Sequence, residues 1–229
     1  AGVPKDVLQV LPGSGAVIGA TLIADPRIEG VMLTGSNETS RAIYQNLASR
    51  EGAIVPLIAE TGGINAMIVD STALPEQLVA DVIQSAFSSA GQRCSALRVL
   101  FLQDDIADDV ITMLKGAMAE IKVGDPMLLS TDVGPVIDQE ARLGLQAHSE
   151  MLQEKAKLIY KVEIPDEMKH GTFLAPQAFE LPDLSLCQKE QFGPILHVIR
   201  YAREDLDKVI DDINNLGYGL TFGIESRID

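Results

Sequence analysis

Two short stretches hold the residue types best suited to chemistry. One is Glu60-Thr61-Gly62-Gly63; the other is Gly91-Gln92-Arg93-Cys94-Ser95-Ala96. A cysteine thiolate is a nucleophile, and a positioned carboxylate can act as general base toward water. Gln92, Arg93 and Ser95 make the surroundings of Cys94 polar, and a neighbouring cation favours thiolate over thiol. Free cysteine is also a frequent buried filler, and that description suits Cys187 in Leu184-Ser185-Leu186-Cys187. Glu60 follows the apolar run Ile54 to Ala59, so partial desolvation is expected there. The ordinary alternative is an exposed carboxylate at a strand end. Gly62 and Gly63 permit close backbone approach. His148, His170 and His197 are scattered, so no cysteine–histidine protease pair and no metal-ligand set is expected.

The elements that must position these groups alternate strand and helix. Val7 to Leu11 reads as a short strand ending at Pro12-Gly13, followed by a helix over Ala16 to Ala24 and a buried strand over Val31 to Thr34. Ser36 suits the N-cap of a helix running to Ala48, and Ile54 to Ala59 reads as a third strand. Strand and helix in alternation without hairpin signals imply a parallel, doubly wound sheet.

Beyond Gly63, Met67 to Val69 reads as a strand, and Pro75 opens a helix. That helix puts Leu78, Val79, Val82, Ile83, Ala86 and Phe87 on one face. Cys94 falls in the loop between it and a buried strand, Leu97 to Leu102. A helix over Asp104 to Ile121 buries Ile106, Val110, Ile111, Leu114, Ala117 and Met118. A loop rich in Gly, Pro and Asp leads to a helix near Gln139 to Lys155. Strands over Lys157 to Val162, Thr172 to Leu181 and Ile195 to Tyr201 follow, then a helix near Glu204 to Asn215.

Gly13-Ser14-Gly15-Ala16-Val17-Ile18-Gly19 lies where a strand gives way to a helix, the setting of a dinucleotide-binding loop. Its spacing departs from the usual fingerprint, and a plain turn is the alternative. Glu190-Gln191-Phe192-Gly193-Pro194 reads on pattern alone as a surface turn carrying a buried Phe.

The 229 residues are 46% hydrophobic and 22% charged, the composition of an ordinary globular chain. A net charge of −15 argues against nucleic-acid binding through this segment, which needs clustered Lys and Arg. Two cysteines make no disulfide framework, so a reducing, cytoplasmic setting is expected. The first residues carry neither Met nor a signal pattern and read as the middle of a protein.

In this order, the Glu-x-Gly-Gly and Gly-Gln-x-Cys motifs resemble those of the aldehyde dehydrogenase superfamily. Leu33-Thr34-Gly35-Ser36 resembles its Phe-Thr-Gly-Ser turn, and Glu190 to Pro194 its Glu-x-Phe-Gly-Pro turn. The stretches Glu60 to Ser71 and Ser85 to Val99 are similar to the glutamate γ-semialdehyde dehydrogenase domains of the bifunctional proline utilisation A family.

The resemblance implies an α/β fold of aldehyde dehydrogenase type. Residues 1–61 would be the second part of a Rossmann-type NAD-binding domain, and residues 62–229 most of an α/β catalytic domain. It further implies NAD as cofactor, held by Gly15, Gly19, Ser36, Gly62, Glu190 and Phe192. Cys94 would be the nucleophile and Glu60 the base, with Ser95 on the carboxylate of L-glutamate γ-semialdehyde. A proline dehydrogenase domain would share the parent chain, which is expected to be an oligomer. An oxyanion asparagine would precede residue 1; a substrate-anchoring loop and an oligomerisation arm would follow Asp229. The piece alone is therefore expected to be inactive. Another member of the aldehyde dehydrogenase superfamily, a cofactor-free thiol hydrolase and a non-catalytic module are the rival readings.

Overall fold

The computed structural model describes residues 2–228. The chain divides into two compact units, residues 1–62 and 63–229.

In the first unit the expected strand Val7 to Leu11 does not form. These residues are irregular and exposed, after a turn in which the Val7 N–H bonds the Pro4 carbonyl. A strand needs a hydrogen-bonded neighbour, and the only ladder among the described residues of this unit joins two later segments. A π-helical turn over Gly15–Gly19 runs into helix α1 (Ala20–Ala24). Strand β1 (Val31–Gly35) leads to α2 (Asn37–Ala48), and β2 (Leu57–Thr61) lies parallel to β1, with Val31 opposite Leu57 and Gly35 opposite Thr61.

The start of α2 is set locally: the Ser36 hydroxyl accepts the Thr39 N–H at 3.1 Å. β2 begins three residues later than the apolar run suggests, so Glu60 lies inside the strand rather than after it. β1, expected to be buried, is largely exposed, and Leu47 is the one buried residue among the described residues of this unit. Two strands and two helices supply no second layer to close over the sheet.

The second unit is a six-stranded sheet with helices. In chain order it comprises β3 (Asn65–Val69), α3 (Pro75–Phe87), a 3-10 turn (Ser88–Gly91), β4 (Leu97–Gln103), α4 (Asp104–Ala119) and α5 (Gln139–Lys155). β5 (Lys157–Lys161), β6 (Gln177–Leu181), β7 (Ile195–Tyr201), α6 (Leu206–Asn215) and β8 (Phe222–Glu225) follow. The strand order is β5-β6-β7-β4-β3-β8, all parallel except β5 against β6. All seven residues of central β4 are buried, as the near-continuous apolar run of a strand covered on both faces requires.

α3 contributes Leu78, Val79, Val82, Ala86 and Phe87 to the core, and α4 contributes Val110, Ile111, Leu114 and Met118. Ile83, Ile106 and Ala117, expected inside, sit at the margin. β8 escapes the sequence pattern because it is only four residues long and contains a glycine.

A histidine pair, His197 buried and His148 half-buried, joins α5 to β7. His148 Nε2 and His197 Nε2 are 2.9 Å apart, and His197 Nδ1 lies 2.8 Å from the Arg98 carbonyl. A carbonyl can only accept, so His197 is protonated on Nδ1 and its Nε2 accepts from His148. Desolvation pushes His197 down to about 3 and His148 down to about 4. Both folded values lie below the unfolded imidazole value, so the unfolded chain binds more protons in acid. Their stabilising contribution is complete above about pH 6.5 and is lost as pH falls through about 4 for His148 and about 3 for His197. The melting temperature should fall across that window, and less so for His148→Leu; a flat profile from pH 7 to 4.5 overturns this.

Candidate active site

Cys94 is exposed, in the loop between the 3-10 turn and β4. Three side chains brace that loop. Asn65, buried at the start of β3, donates through Nδ2 to the carbonyls of Cys94 at 2.6 Å and Ala96 at 2.8 Å. Its Oδ1 accepts the Thr221 N–H at 3.2 Å. Gln92 reaches the other way, donating to the Pro135 carbonyl at 3.2 Å and accepting the Ile137 N–H at 2.8 Å. Arg98, 1% exposed, donates to the carbonyls of Gly91 at 2.7 Å and Arg93 at 3.1 Å. The Arg93 guanidinium, expected beside the thiol, instead points back to the Gln84 carbonyl on α3 at 3.4 Å.

The approach to this loop is backbone-limited. Ser89, Ala90 and Gly91 are successive left-handed residues, with φ of 55°, 53° and 65°. Left-handed non-glycine residues cost about 1 kcal/mol or more each and persist only where the surroundings fix them. A side chain on Gly91 would overlap the Gly193 carbonyl, so the glycine is required here.

Glu190 and Phe192 lie on the turn that precedes β7. The Glu190 carboxylate accepts from Arg98 Nη2 at 3.3 Å, and the Arg98 guanidinium stands 5.3 Å from the centre of the Phe192 ring. Phe192 is 43% exposed, so the buried-Phe alternative for this turn does not hold. Ser95 is exposed, and its carbonyl lies 3.5 Å from the Thr221 hydroxyl.

These groups share one end of the strands. Cys94 precedes β4, Glu190 and Phe192 precede β7, Thr221 precedes β8, and Asn65 opens β3. Ligands of open parallel sheets usually gather outside the carboxyl ends of strands. Here the candidate groups of the second unit collect at the amino ends.

In the first unit, Ser36 and Glu60 lie at the carboxyl end of the β1–β2 ladder, where Thr34 pairs with Glu60 and Gly35 with Thr61. Glu60 is exposed rather than partly desolvated, because little of this unit covers the strand. The Ser36 oxygen is engaged as the α2 cap, and its O–H has Thr39 Oγ1 at 3.1 Å as a partner. Gly15 and Gly19 border open space, and Gly62 is half-buried at the junction.

Cys187 is the inert thiol that its sequence context suggests. It is buried, 3.6 Å from His197 Nδ1, and desolvation pushes it up to about 12. Among the described residues no group of three or more His, Cys, Asp or Glu is placed to hold a metal, and no helix is long and apolar enough to cross a membrane. Sequence reasoning missed Asn65 and Arg98. The available signal for Arg98 was a single charge inside the apolar run Leu97 to Leu102.

Residues 1–228 match the model of the aldehyde dehydrogenase family. The chain is 53% identical to the bifunctional protein PutA of Escherichia coli, covering 100% of this chain and 18% of that protein. It is 34% identical to the 1-pyrroline-5-carboxylate dehydrogenase of Geobacillus thermodenitrificans, covering 99% of this chain and 44% of that protein. A crystal structure of bifunctional proline utilization A (PutA) superposes with a TM-score of 0.95 at 54% identity, over 100% of this chain and 23% of that one. The chain thus spans less than half the length of each of these relatives.

Proposed function

Because this chain belongs to the aldehyde dehydrogenase family, we propose that it carries part of the site at which a longer protein oxidises L-glutamate γ-semialdehyde to L-glutamate with NAD. The observation that carries this reading is the similarity, over the whole chain, to bifunctional PutA. The similarity to a 1-pyrroline-5-carboxylate dehydrogenase supports the same substrate, since 1-pyrroline-5-carboxylate is the cyclised form of that aldehyde. A proline dehydrogenase domain in the same polypeptide and a cytoplasmic location belong to the proposal.

The residues present fit NAD. A Cβ at Gly15 or Gly19 would meet nothing within 4 Å, leaving room for an external group. The amide donors of the turn that opens at Gly15 suit a pyrophosphate. Ser36 and Gly62 are assigned to the same cofactor by similarity to the family. Glu190 has a carboxylate suited to ribose hydroxyls, and the half-exposed Phe192 ring can lie beside the nicotinamide.

In this reading the Cys94 thiolate attacks the aldehyde carbon, forming a C–S bond as the carbonyl electrons move to oxygen. The Cys94 N–H donates to the resulting alkoxide. Ser95 holds the substrate α-carboxylate. Glu190 and Phe192 would hold NAD, which when bound would supply the hydride acceptor needed for the adduct to become a thioester on Cys94. Glu60 then removes a proton from water, whose oxygen attacks the thioester carbon, and Cys94 departs as thiolate.

A steady-state assay of NAD reduction by the full-length protein against a panel of aldehydes tests the reading. Preference for glutamate semialdehyde supports it, and turnover of activated esters with no NAD reduction by any aldehyde replaces it with a thiol hydrolase. Glu60→Gln should keep the first-turnover burst while steady-state kcat falls about 10²–10³-fold, because only the hydrolytic step needs the base. A steady-state rate within threefold of the parent removes Glu60 from the mechanism.

A further inference from the structure

We propose that Arg98 is a positioning residue that locks the Cys94 loop and the Glu190–Gly193 turn into one geometry. The proposal rests on the dehydrogenase reading for its functional meaning, and on contacts within the second unit for its substance. Through Nη1 the guanidinium donates to the Gly91 carbonyl at 2.7 Å and the Gly193 carbonyl at 3.3 Å. Through Nη2 it donates to the Arg93 carbonyl at 3.1 Å and the Glu190 carboxylate at 3.3 Å. Its carbon stands over the Phe192 ring. Two acceptors thus belong to the nucleophile loop and two to the turn assigned to the cofactor.

This is a costly way to hold a fold. Arg98 is 1% exposed in the central strand, and its Nε is buried without a hydrogen-bond partner. A buried ion pair seldom outperforms well-packed apolar residues in stability, and its neighbours Leu97, Val99 and Leu100 are such residues. What a planar fork supplies, and an apolar side chain cannot, is simultaneous fixed directions to several acceptors.

The loop it grips needs such fixing, since it is entered through three left-handed residues in a row. Burial pulls the guanidinium below its ordinary value while the Glu190 carboxylate opposes that pull. Arg93 cannot do this work, because its guanidinium turns away to Gln84.

The coupling can be read without any cofactor. In the full-length protein, the rate of Cys94 alkylation by iodoacetamide is measured by mass spectrometry for the parent, Glu190→Gln, Arg98→Met and the double variant. Glu190→Gln should change that rate about threefold or more in the parent background and less than twofold beside Arg98→Met. Arg98→Lys keeps the charge and loses the fork, and it replaces Arg98→Met in the cycle if the latter does not fold. In steady state, Arg98→Lys should raise the KM for NAD and lower kcat together, each about tenfold. Additive effects in the alkylation cycle overturn the proposal. So does an Arg98→Lys enzyme whose only defect is a lower melting temperature. Failure of the unmodified protein to reduce NAD would instead sink the dehydrogenase reading, leaving the alkylation cycle to judge Arg98 on its own.

Discussion

Cys94→Ser in the full-length protein should lower kcat for aldehyde oxidation by about 10⁴–10⁶-fold, with cofactor binding retained. A serine hydroxyl has nearly the same shape but is hardly ionised near neutrality. The loop supplies no base of the serine-hydrolase kind: Asn65, Gln92 and Arg98 brace it through amide and guanidinium contacts. Nor can the second thiol substitute. Cys187 is buried, beside His197, and held in its neutral form by desolvation. Because the three braces grip mainly backbone atoms, the variant loop should keep its shape, and binding of NAD, followed by fluorescence titration, should change little. Activity within tenfold of the parent would remove Cys94 from the chemistry.

Gly91→Ala is the second large effect. The left-handed φ of 65° is not itself prohibitive, since Ala90 adopts 53°. The obstacle is steric. The new Cβ would overlap the Gly193 carbonyl oxygen and come within 2.9 Å of the Ala86 carbonyl oxygen, both backbone atoms with no rotamer to yield. The loop must therefore shift away from the Glu190–Gly193 turn and carry Cys94 with it. A displacement of about 1 Å costs roughly 10²-fold in rate, so kcat should fall at least that far while the protein stays folded. Gly116→Ala on α4 is the matched control: no atom lies within 4 Å, and a helix-interior alanine should be neutral or stabilising by about 0.5–1 kcal/mol. Equal activity of the two variants would show that the contact between these loops does not position the thiol.

Local signals carried well from sequence to structure. The Ser36 cap and the start of α2 were legible because a hydroxyl and an amide three residues apart settle them. The α5 limits were legible because Asp138 caps the Ala141 N–H. β7 was legible as an apolar run in a parallel sheet. The failures share a cause. Val7 to Leu11 has strand-like residues but no neighbour to pair with among the described residues of its unit. Glu60 was placed after its strand because the apolar run stops earlier than the hydrogen-bonded ladder.

Asn65 and Arg98 went unrecognised because decisive partners lie far off in the chain: Cys94 and Thr221 are 29 and 156 residues from Asn65, and Glu190 and Gly193 are 92 and 95 residues from Arg98. No local window holds such contacts. A lone arginine among apolar strand residues is nonetheless a readable anomaly, since a parallel central strand has no wet face on which to put it.

The gathering of candidate groups at the amino ends of β3, β4, β7 and β8 has a practical corollary. The opposite rim, where β4 runs into α4 at Asp104 and β7 leaves at Ala202, carries none of the groups assigned to the thiol's surroundings. Peptide tags, reporter domains or cross-linking handles spliced there would be insulated from the nucleophile by the full length of the strands. The same splices on the near rim would disturb it directly.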